Sequence, residues 1–108
     1  MRKGDLCLIN LFLGEGHEQL GKRPAIIISD TKTGIVVVIP LTTNLNALRF
    51  PYTIAIIPDR KNNLKQESVA LIFYIRSIDK SRVLKKVGII NKDFQKKIDN
   101  ILKEMMSL

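Results

Sequence analysis

The sequence predicts a mainly β domain that ends in a single helix. Most of the chain consists of short runs rich in Val, Ile and Leu, separated by polar or glycine-containing stretches. Only residues 91–106 repeat apolar residues at helical spacing. Short β-branched runs are typical of strands, whereas a period near 3.6 residues is typical of an amphipathic helix. We therefore expect a strongly curved, mostly antiparallel sheet or small barrel closed by the helix, in one domain spanning residues 1–108.

Five apolar runs form the first predicted strands. They span residues 5–13, 23–29, 35–41, 52–58 and 68–75. Several of these runs are almost continuously apolar, which is typical of strands that are buried on both faces. Polar segments join them, and glycines punctuate the first connection, residues 14–22.

The last third of the chain predicts a turn, a short helical turn and a final strand within residues 76–90, and then the helix. Asn91 is a suitable N-cap, and Asp93 complements the positive end of the helix dipole. One face of the helix is apolar, and it consists of Phe94, Ile98, Ile101, Leu102 and Met105.

The net charge indicates the class of binding partner, and the single cysteine indicates the cellular compartment. Lys and Arg outnumber Asp and Glu by 18 to 10, a formal net charge of +8, which favours a polyanionic partner: nucleic acid, an anionic membrane surface or an acidic protein. The sequence has no apolar run near the ~20 residues of a membrane span and no signal peptide pattern. Cys7 is the only cysteine, so no internal disulfide can form, and we expect a buried thiol in a cytoplasmic protein.

The segment GHEQLGKRP, residues 16–24, carries a dense set of polar groups, including the only histidine. A zinc site needs three or four ligands, and no second His or Cys stands at ligand spacing, so the pattern indicates neither a metal nor another cofactor. A Cys7–His17 hydrolase lacks a visible activating group. A glycine-rich phosphate loop would need a helix after it, and a strand follows instead.

Two residues at the ends of neighbouring strands offer a different chemistry. Arg23 precedes Pro24, which restricts it to an extended backbone, and a planar guanidinium can clamp a phosphate with two prongs. Thr42 and Thr43 end the next strand with hydroxyl groups. If the two strands pair, a groove would combine a cation, hydroxyls, a carboxylate and an imidazole, which suffice for metal-free cleavage of RNA. A solvated loop with Arg23 in a surface ion pair is the alternative from the residues alone.

The sequence resembles the MazF/PemK/Kid family of toxin endoribonucleases nearly from end to end. The resemblance is carried, in order, by KGDLCLINL, GHEQLGKRPAIIIS, VVVIPLTTN and SVALIFYIRSIDKSRVLKKVG. It implies a homodimeric SH3-like barrel that cuts single-stranded RNA without metal and leaves a 2′,3′-cyclic phosphate and a 5′-hydroxyl. It also implies an antitoxin partner with an acidic, partly disordered segment.

The resemblance assigns roles residue by residue. Arg23 matches the main catalytic arginine of the MazF branch, and Thr42 matches the threonine beside it. Glu18 matches an acidic residue of the RNA-binding loop, and Gln19 a position that shapes that loop. His17 matches a histidine of the Kid branch. We expect His17, Glu18, Gln19, Thr43 and Tyr74 to bind RNA.

The sequence departs from the family just before IRSID. The family usually has an acidic residue and a glutamine there, and this chain has Phe73 and Tyr74. The Kid-type Asp and Arg are absent, since their positions hold Phe73 and Leu71, so the Arg23–Thr42 arrangement is the one left. Strand alternation predicts a buried Phe73 and an outward Tyr74. Arg76 and Asp79 are expected to form a structural ion pair.

A second class of function stays open at this point. The lost acidic–Gln pair favours a non-catalytic relative, either a binding protein like the gyrase poison CcdB or a decayed family member. The intact Glu18, Arg23 and Thr42 favour the enzyme. Homodimerisation is expected from the apolar terminus formed by Met105, Met106 and Leu108.

Overall fold

The computed structural model describes residues 1–11 and 21–108, which form seven antiparallel strands and a final helix. The strands are β1 (Asp5–Asn10), β2 (Lys22–Asp30), β3 (Ile35–Thr42), β4 (Thr53–Ile56), β5 (Ser68–Leu71), β6 (Arg76–Asp79) and β7 (Val83–Ile89), and helix α1 spans Lys92–Met106. Short 3-10 helices occupy Leu45–Arg49, Ile72–Tyr74 and Lys80–Arg82. Within these ranges, no helix has the length and apolar character needed to cross a bilayer.

Strand β3 lies at the centre of the sheet. It pairs with β2 on one side, and on the other side with β6 over Ile35–Val38 and with β5 at Leu41–Thr42. The strand order is β4-β5-β3-β2-β1-β7. The mainly β architecture with a C-terminal helix is thus confirmed. In the described part of the chain, however, β4 and β7 do not pair, so the sheet is curved but its hydrogen bonding does not close a full barrel.

Register shifts bend the sheet. The pairing of β2 with β3 skips Ile28, so two residues of β2 oppose one of β3 there. The β1–β7 pair has two further shifts, after Leu6 and after Leu8. Bulges of this kind increase local twist and bend a strand, which explains how so few strands curl around a core.

Buried side chains occupy both faces of the central strands, as the continuous apolar runs predicted. On one face, Leu6, Ile26 and Ile39 belong to a cluster packed against α1. On the other face, Cys7, Ile27 and Val38 belong to a second cluster that the sheet encloses by curling. The two clusters alternate along each strand because successive side chains point to opposite faces.

The helix forms where its sequence predicts it. The Asn91 side chain accepts a hydrogen bond from the Phe94 backbone N–H at 2.9 Å, which confirms the N-cap. Ile98 is fully buried in the first cluster, and the other four members of the predicted apolar face pack against it. Burial of this face docks the helix on the sheet.

Three expectations about the second half of the chain are wrong. The run 68–75 is not one strand, because β5 ends at Leu71 and a 3-10 helix follows. That turn ends the alternation, and Phe73 is 44% exposed instead of buried. Residues Arg76–Asp79, expected to form a turn, are strand β6 beside β3. β6 continues along the same edge of β3 as β5 and in the same direction, so the 3-10 turn is an insertion between two pairings with β3.

Candidate active site

Arg23 and Thr42 lie at the same end of the β2–β3 pair. The register sets Ala25 opposite Pro40 and Ile26 opposite Ile39. In an antiparallel pair, one residue back along β2 corresponds to one residue forward along β3. The same register, continued to the strand ends, therefore places Arg23 opposite Thr42. Directly opposite residues share a face of the sheet. The pairing expected from the sequence therefore brings the guanidinium and the hydroxyl to one place.

These two residues line a cleft of about 280 Å³ at this end of the sheet. The cleft is lined by Lys22, Arg23, Pro24, Leu41, Thr42, Thr43 and Ser68. Two of the lining side chains are cations and three carry hydroxyls, and none is a carboxylate. An electropositive cleft with several hydroxyl groups suits an anionic ligand such as a phosphodiester.

A local hydrogen bond holds the Thr42 hydroxyl. Its oxygen accepts the backbone N–H of Asn44 at 3.2 Å. The Asn44 side chain in turn caps the 3-10 helix that follows, accepting the Asn46 N–H at 3.1 Å. A hydroxyl has one donor hydrogen besides its acceptor lone pairs, so the Thr42 hydrogen stays available to a ligand.

The Arg23 guanidinium is half-buried and unneutralised in the described part of the chain. No acceptor within residues 1–11 and 21–108 is hydrogen-bonded to it, and none of the ion pairs in those ranges includes it. Pro24 fixes the backbone beside it, and Lys22, which is exposed, adds a second cation. Two cations without an ion-pair partner among the described residues make the cleft electropositive.

Tyr74 does not line this cleft. It belongs to an exposed aromatic row that we define as Phe50, Phe73 and Tyr74. The Phe50 and Phe73 rings meet edge to face at 6.0 Å, and Phe73 and Tyr74 lie nearly parallel at 6.4 Å. The guanidinium groups of Arg49 and Arg76 cover the two ends of the row, over Phe50 and Tyr74. Both Phe73 and Tyr74 are accessible to solvent, at 44% and 37% exposure.

The predicted Arg76–Asp79 pair is not formed, because each residue has another role. Asp79 caps the 3-10 helix after β6 by accepting the Ser81 N–H at 2.9 Å, and this hydrogen bond lowers the pKa of its carboxyl. The Arg76 Nη1 donates to the Tyr74 hydroxyl at 3.5 Å. The buried Nε of Arg76 has no partner among the described residues.

Three predicted RNA-binding residues, His17, Glu18 and Gln19, lie outside the described residues. The segment that contains them enters and leaves beside the cleft, since the Leu11 N–H donates to the Gly21 carbonyl at 2.7 Å. Gly21 directly precedes β2. The ends of this segment are thus held next to the strand that carries Arg23.

Cys7 has the structural role that its sequence predicts. It is buried on β1, and burial followed by the nearby Asp5 carboxylate raises the pKa of its thiol. A raised pKa keeps the thiol protonated, so it is not an activated nucleophile. In the described ranges, no group of three His, Cys, Asp or Glu side chains is arranged to hold a metal ion.

The sequence reasoning missed Lys22 and Ser68 in the cleft. The sequence could have predicted Lys22 in the cleft, because it is a second cation directly before Arg23. It could not have predicted Ser68, which lies at the cleft only because its neighbour Val69 pairs with Thr42. Its hydroxyl is buried and donates to the Gln66 carbonyl at 3.2 Å.

Comparisons with known proteins agree with this geometry. A family model described as a PemK-like, MazF-like toxin of type II toxin-antitoxin systems matches residues 2–106. The Staphylococcus epidermidis protein named endoribonuclease MazF is 33% identical over 107 residues, which cover 94% of this chain and 88% of that protein.

Solved structures show the same fold. MazF from Deinococcus radiodurans (crystal form I) superposes with a TM-score of 0.78 at 26% identity, covering 100% of this chain and 97% of that one. An endoribonuclease of mycobacterial origin, solved with its cognate antitoxin, has a TM-score of 0.74 at 20% identity, with 100% and 94% coverage. The chain therefore belongs to the PemK-like, MazF-like toxin family of type II toxin-antitoxin systems.

Proposed function

We propose that this toxin is an endoribonuclease that cleaves single-stranded RNA without a metal ion and leaves 2′,3′-cyclic phosphate and 5′-hydroxyl ends. The observation that carries the proposal is the placement of Arg23 and Thr42 across one cleft whose side chains are cations and hydroxyls. Family membership and the endoribonuclease named among its relatives support the reaction class.

The cleft residues suit the transition state of this reaction. The 2′-hydroxyl of RNA loses its proton and attacks the adjacent phosphorus, the bond to the 5′ oxygen breaks, and that oxygen takes up a proton. Arg23 donates two parallel N–H groups to the non-bridging oxygens as their charge grows. Thr42 donates its free hydroxyl hydrogen to the same phosphoryl group. His17 and Glu18, on the sequence segment before β2, are proposed to bind the RNA.

RNA contacts extend beyond the reacting phosphate. Thr43 lines the cleft beside Thr42 and offers a further hydroxyl, and Gln19 belongs to the segment before β2. Tyr74 presents its ring outside the cleft, where an unstacked base can lie on it. The arginines over the ends of the aromatic row add charge for the phosphates on either side.

The partners we propose are a second copy of the chain and an acidic, partly disordered antitoxin, all in the cytoplasm. Exposed apolar residues at the C-terminus support self-association, since Met106 is 50% and Leu108 is 88% exposed. The net charge of +8 favours an acidic partner as well as RNA. Among the structural neighbours, the mycobacterial endoribonuclease was solved with its cognate antitoxin, and MazF from D. radiodurans with MazE.

A cleavage assay tests the proposal. Purified protein is incubated with mixed-sequence single-stranded RNA with and without EDTA, and the ends are identified by sensitivity to phosphatase and kinase treatment. We expect cutting in both conditions and 5′-hydroxyl products. Loss of cutting with EDTA and its recovery with a divalent ion would falsify the metal-free reaction. RNA binding without any cutting would make the chain a binding member of the family.

A further inference from the structure

A second depression opens directly from the cleft. We call it the side recess; its volume is about 260 Å³. It is lined by Pro24, Thr43, Asn63, Leu64, Lys65, Gln66, Ser68 and Val87. Pro24, Thr43 and Ser68 line both the cleft and the recess. One ligand could therefore place one of its groups in the recess and an adjacent group beside Arg23.

The walls of the recess are apolar and firmly held. Leu64 and Val87 face it together with Pro24. The Leu64 N–H donates to the buried Asn62 side chain at 2.9 Å, and the Asn63 side chain donates to the Val87 carbonyl at 2.9 Å. These bonds tie the loop after β4 to strand β7. A preformed wall binds a flat group without first having to be ordered.

Gly88 allows this close docking of the loop. A Cβ atom at this position would lie 2.4 Å from the Lys61 carbonyl oxygen and 2.6 Å from that of Asn62. The Ile89 N–H donates to the same Lys61 oxygen at 2.9 Å. Only a residue without a side chain fits between β7 and the loop, and this contact sets the position of the recess wall.

The rim of the recess carries two exposed polar side chains, Lys65 and Gln66. Neither side chain has a hydrogen-bonding or ionic partner within the described ranges. The backbone of Gln66 is held, because its carbonyl accepts the Ser68 hydroxyl. The rim thus offers one cation and one amide, and the amide can both donate and accept.

On the basis of the proposed ribonuclease function, we propose that the side recess holds the base of a nucleotide next to the scissile phosphate. Gln66 reads the edge of this base, and Lys65 contacts the neighbouring phosphate. Apolar walls suit the two faces of a base, whereas an amide suits its Watson–Crick edge. The volume lies just below the roughly 300–1,000 Å³ of sites for drug-sized ligands, which suits a single base.

Mapping of cut sites tests the role of Gln66. A randomised single-stranded RNA pool is cut by the unmodified protein, Gln66→Ala and Gln66→Glu, and the new ends are sequenced. We expect Gln66→Ala to reduce the base preference at one position beside the cut by about 5- to 100-fold, as for a lost bidentate base contact. Gln66→Glu should shift that preference towards cytosine, whose amino group donates to a carboxylate. Asn100→Ala, an exposed amide on α1, should leave the profile unchanged.

Salt-dependent binding tests the role of Lys65. Affinity is measured with a short RNA on an Arg23→Ala background, which is expected to slow cutting strongly. Lys65→Gln should lower the slope of log affinity against log salt by about 0.7, the value for one phosphate contact on a single strand. Lys32→Gln, in the turn between β2 and β3 at the end of the hairpin away from the cleft, should leave the slope unchanged.

The outcomes separate the two proposals. If the unmodified protein cuts no RNA, the ribonuclease function fails. If it cuts RNA and both Gln66 variants keep the original base profile, the function stands and the recess does not read a base.

Discussion

Two polar regions of the molecule use their side chains in opposite ways. The Asn62 side chain forms hydrogen bonds only within the protein. Its Nδ2 donates to the Ile57 carbonyl, and its Oδ1 accepts the N–H groups of Asp59 and Leu64. In the cleft, the Arg23 guanidinium has no partner in the described chain, and the Thr42 hydroxyl keeps its hydrogen.

The difference separates support from function. Asn62 is fully buried, and its side chain hydrogen-bonds three backbone groups of the loop around it. Asp59 extends this network to the helix, accepting the side chain of Asn91 at 3.3 Å. The cleft donors that have no partner among the described residues are available to a ligand. Substitutions in the two regions should therefore change different observables.

The largest effect is expected at Arg23. Arg23→Ala should lower the cleavage rate by about 10²–10³-fold, as for the loss of a preorganised transition-state donor, and should leave the melting temperature unchanged. Arg23→Lys should be nearly as slow, because a point charge lacks the planar fork. Initial rates on a defined RNA and thermal melting measure both quantities. Arg60→Ala, an exposed arginine of the loop after β4, is the matched control. A lysine variant with normal turnover would contradict the clamp.

Asn62→Ala should lower stability, whereas Arg23→Ala should lower the cleavage rate. Removing this buried side chain takes away the hydrogen bonds of two backbone N–H groups and one carbonyl, which should reduce the free energy of unfolding by roughly 2–4 kcal/mol. Urea unfolding followed by circular dichroism measures this change. Asn46→Ala, whose exposed side chain forms none of the hydrogen bonds described, should stay within about 0.5 kcal/mol of the unmodified protein. Equal stability of the two variants would argue against a supporting role for Asn62.

Thr42→Val tests the free hydroxyl hydrogen. Valine keeps the shape and removes the donor, so the cleavage rate should fall by about 10- to 100-fold, as for one hydrogen bond to a charged group. The effect should be smaller than that of Arg23→Ala. The measurement uses the same RNA, and Thr43→Val serves as a comparison within the cleft. A rate equal to that of the unmodified protein would remove Thr42 from the reaction.

Substitutions in the aromatic row separate a contribution to stability from a contribution to RNA binding. Phe73→Ala should reduce the free energy of unfolding by about 1 kcal/mol, because the ring is exposed and loses mainly its contact with Phe50. A buried ring would cost about 3–5 kcal/mol. Tyr74→Ala should weaken RNA binding by about 1–3 kcal/mol on an Arg23→Ala background, as for one lost stacking contact. Normal RNA binding with a shifted dimer equilibrium would instead assign Tyr74 to the interface.

The smallest effect is expected at Asp59 and depends on pH. Hydrogen bonds from the Asn62 and Lys61 N–H groups lower the pKa of its carboxyl. A carboxyl whose pKa is lower in the folded state stabilises the fold fully at pH values above its unfolded-state pKa of about 3.9. This stabilisation is lost as the pH falls from there through the folded-state pKa. The difference in unfolding free energy between the unmodified protein and Asp59→Asn should shrink over that acid range. Parallel pH curves would show that the carboxylate contributes nothing.

Local features of the sequence predicted much of the fold and the centre of the site. The helix was predictable because its cap at Asn91 and its apolar period lie within one segment. The meeting of Arg23 and Thr42 was predictable because consecutive strands commonly pair.

Features that depend on distant pairings were not predictable. The exposure of Phe73 follows from a 3-10 turn that interrupts an apolar run, and its N–H donates to the Tyr52 carbonyl, from the strand region before β4. The side recess unites Pro24 with Lys65 and Gln66 only because β5 pairs with β3. From sequence alone, the segment that contains Lys65 and Gln66 was only a charged loop.

The skipped residue in β2 affects which side chains meet at the cleft. On the Arg23 side of Ile28, Ile27 lies opposite Val38; beyond it, Ser29 lies opposite Val37, one position out of step. A one-residue slip carried along the whole hairpin would turn Arg23 away from Thr42, because side chains alternate between faces. The bulge takes up the extra residue of β2 at Ile28, so the half of the hairpin next to the cleft keeps the register in which Arg23 faces Thr42.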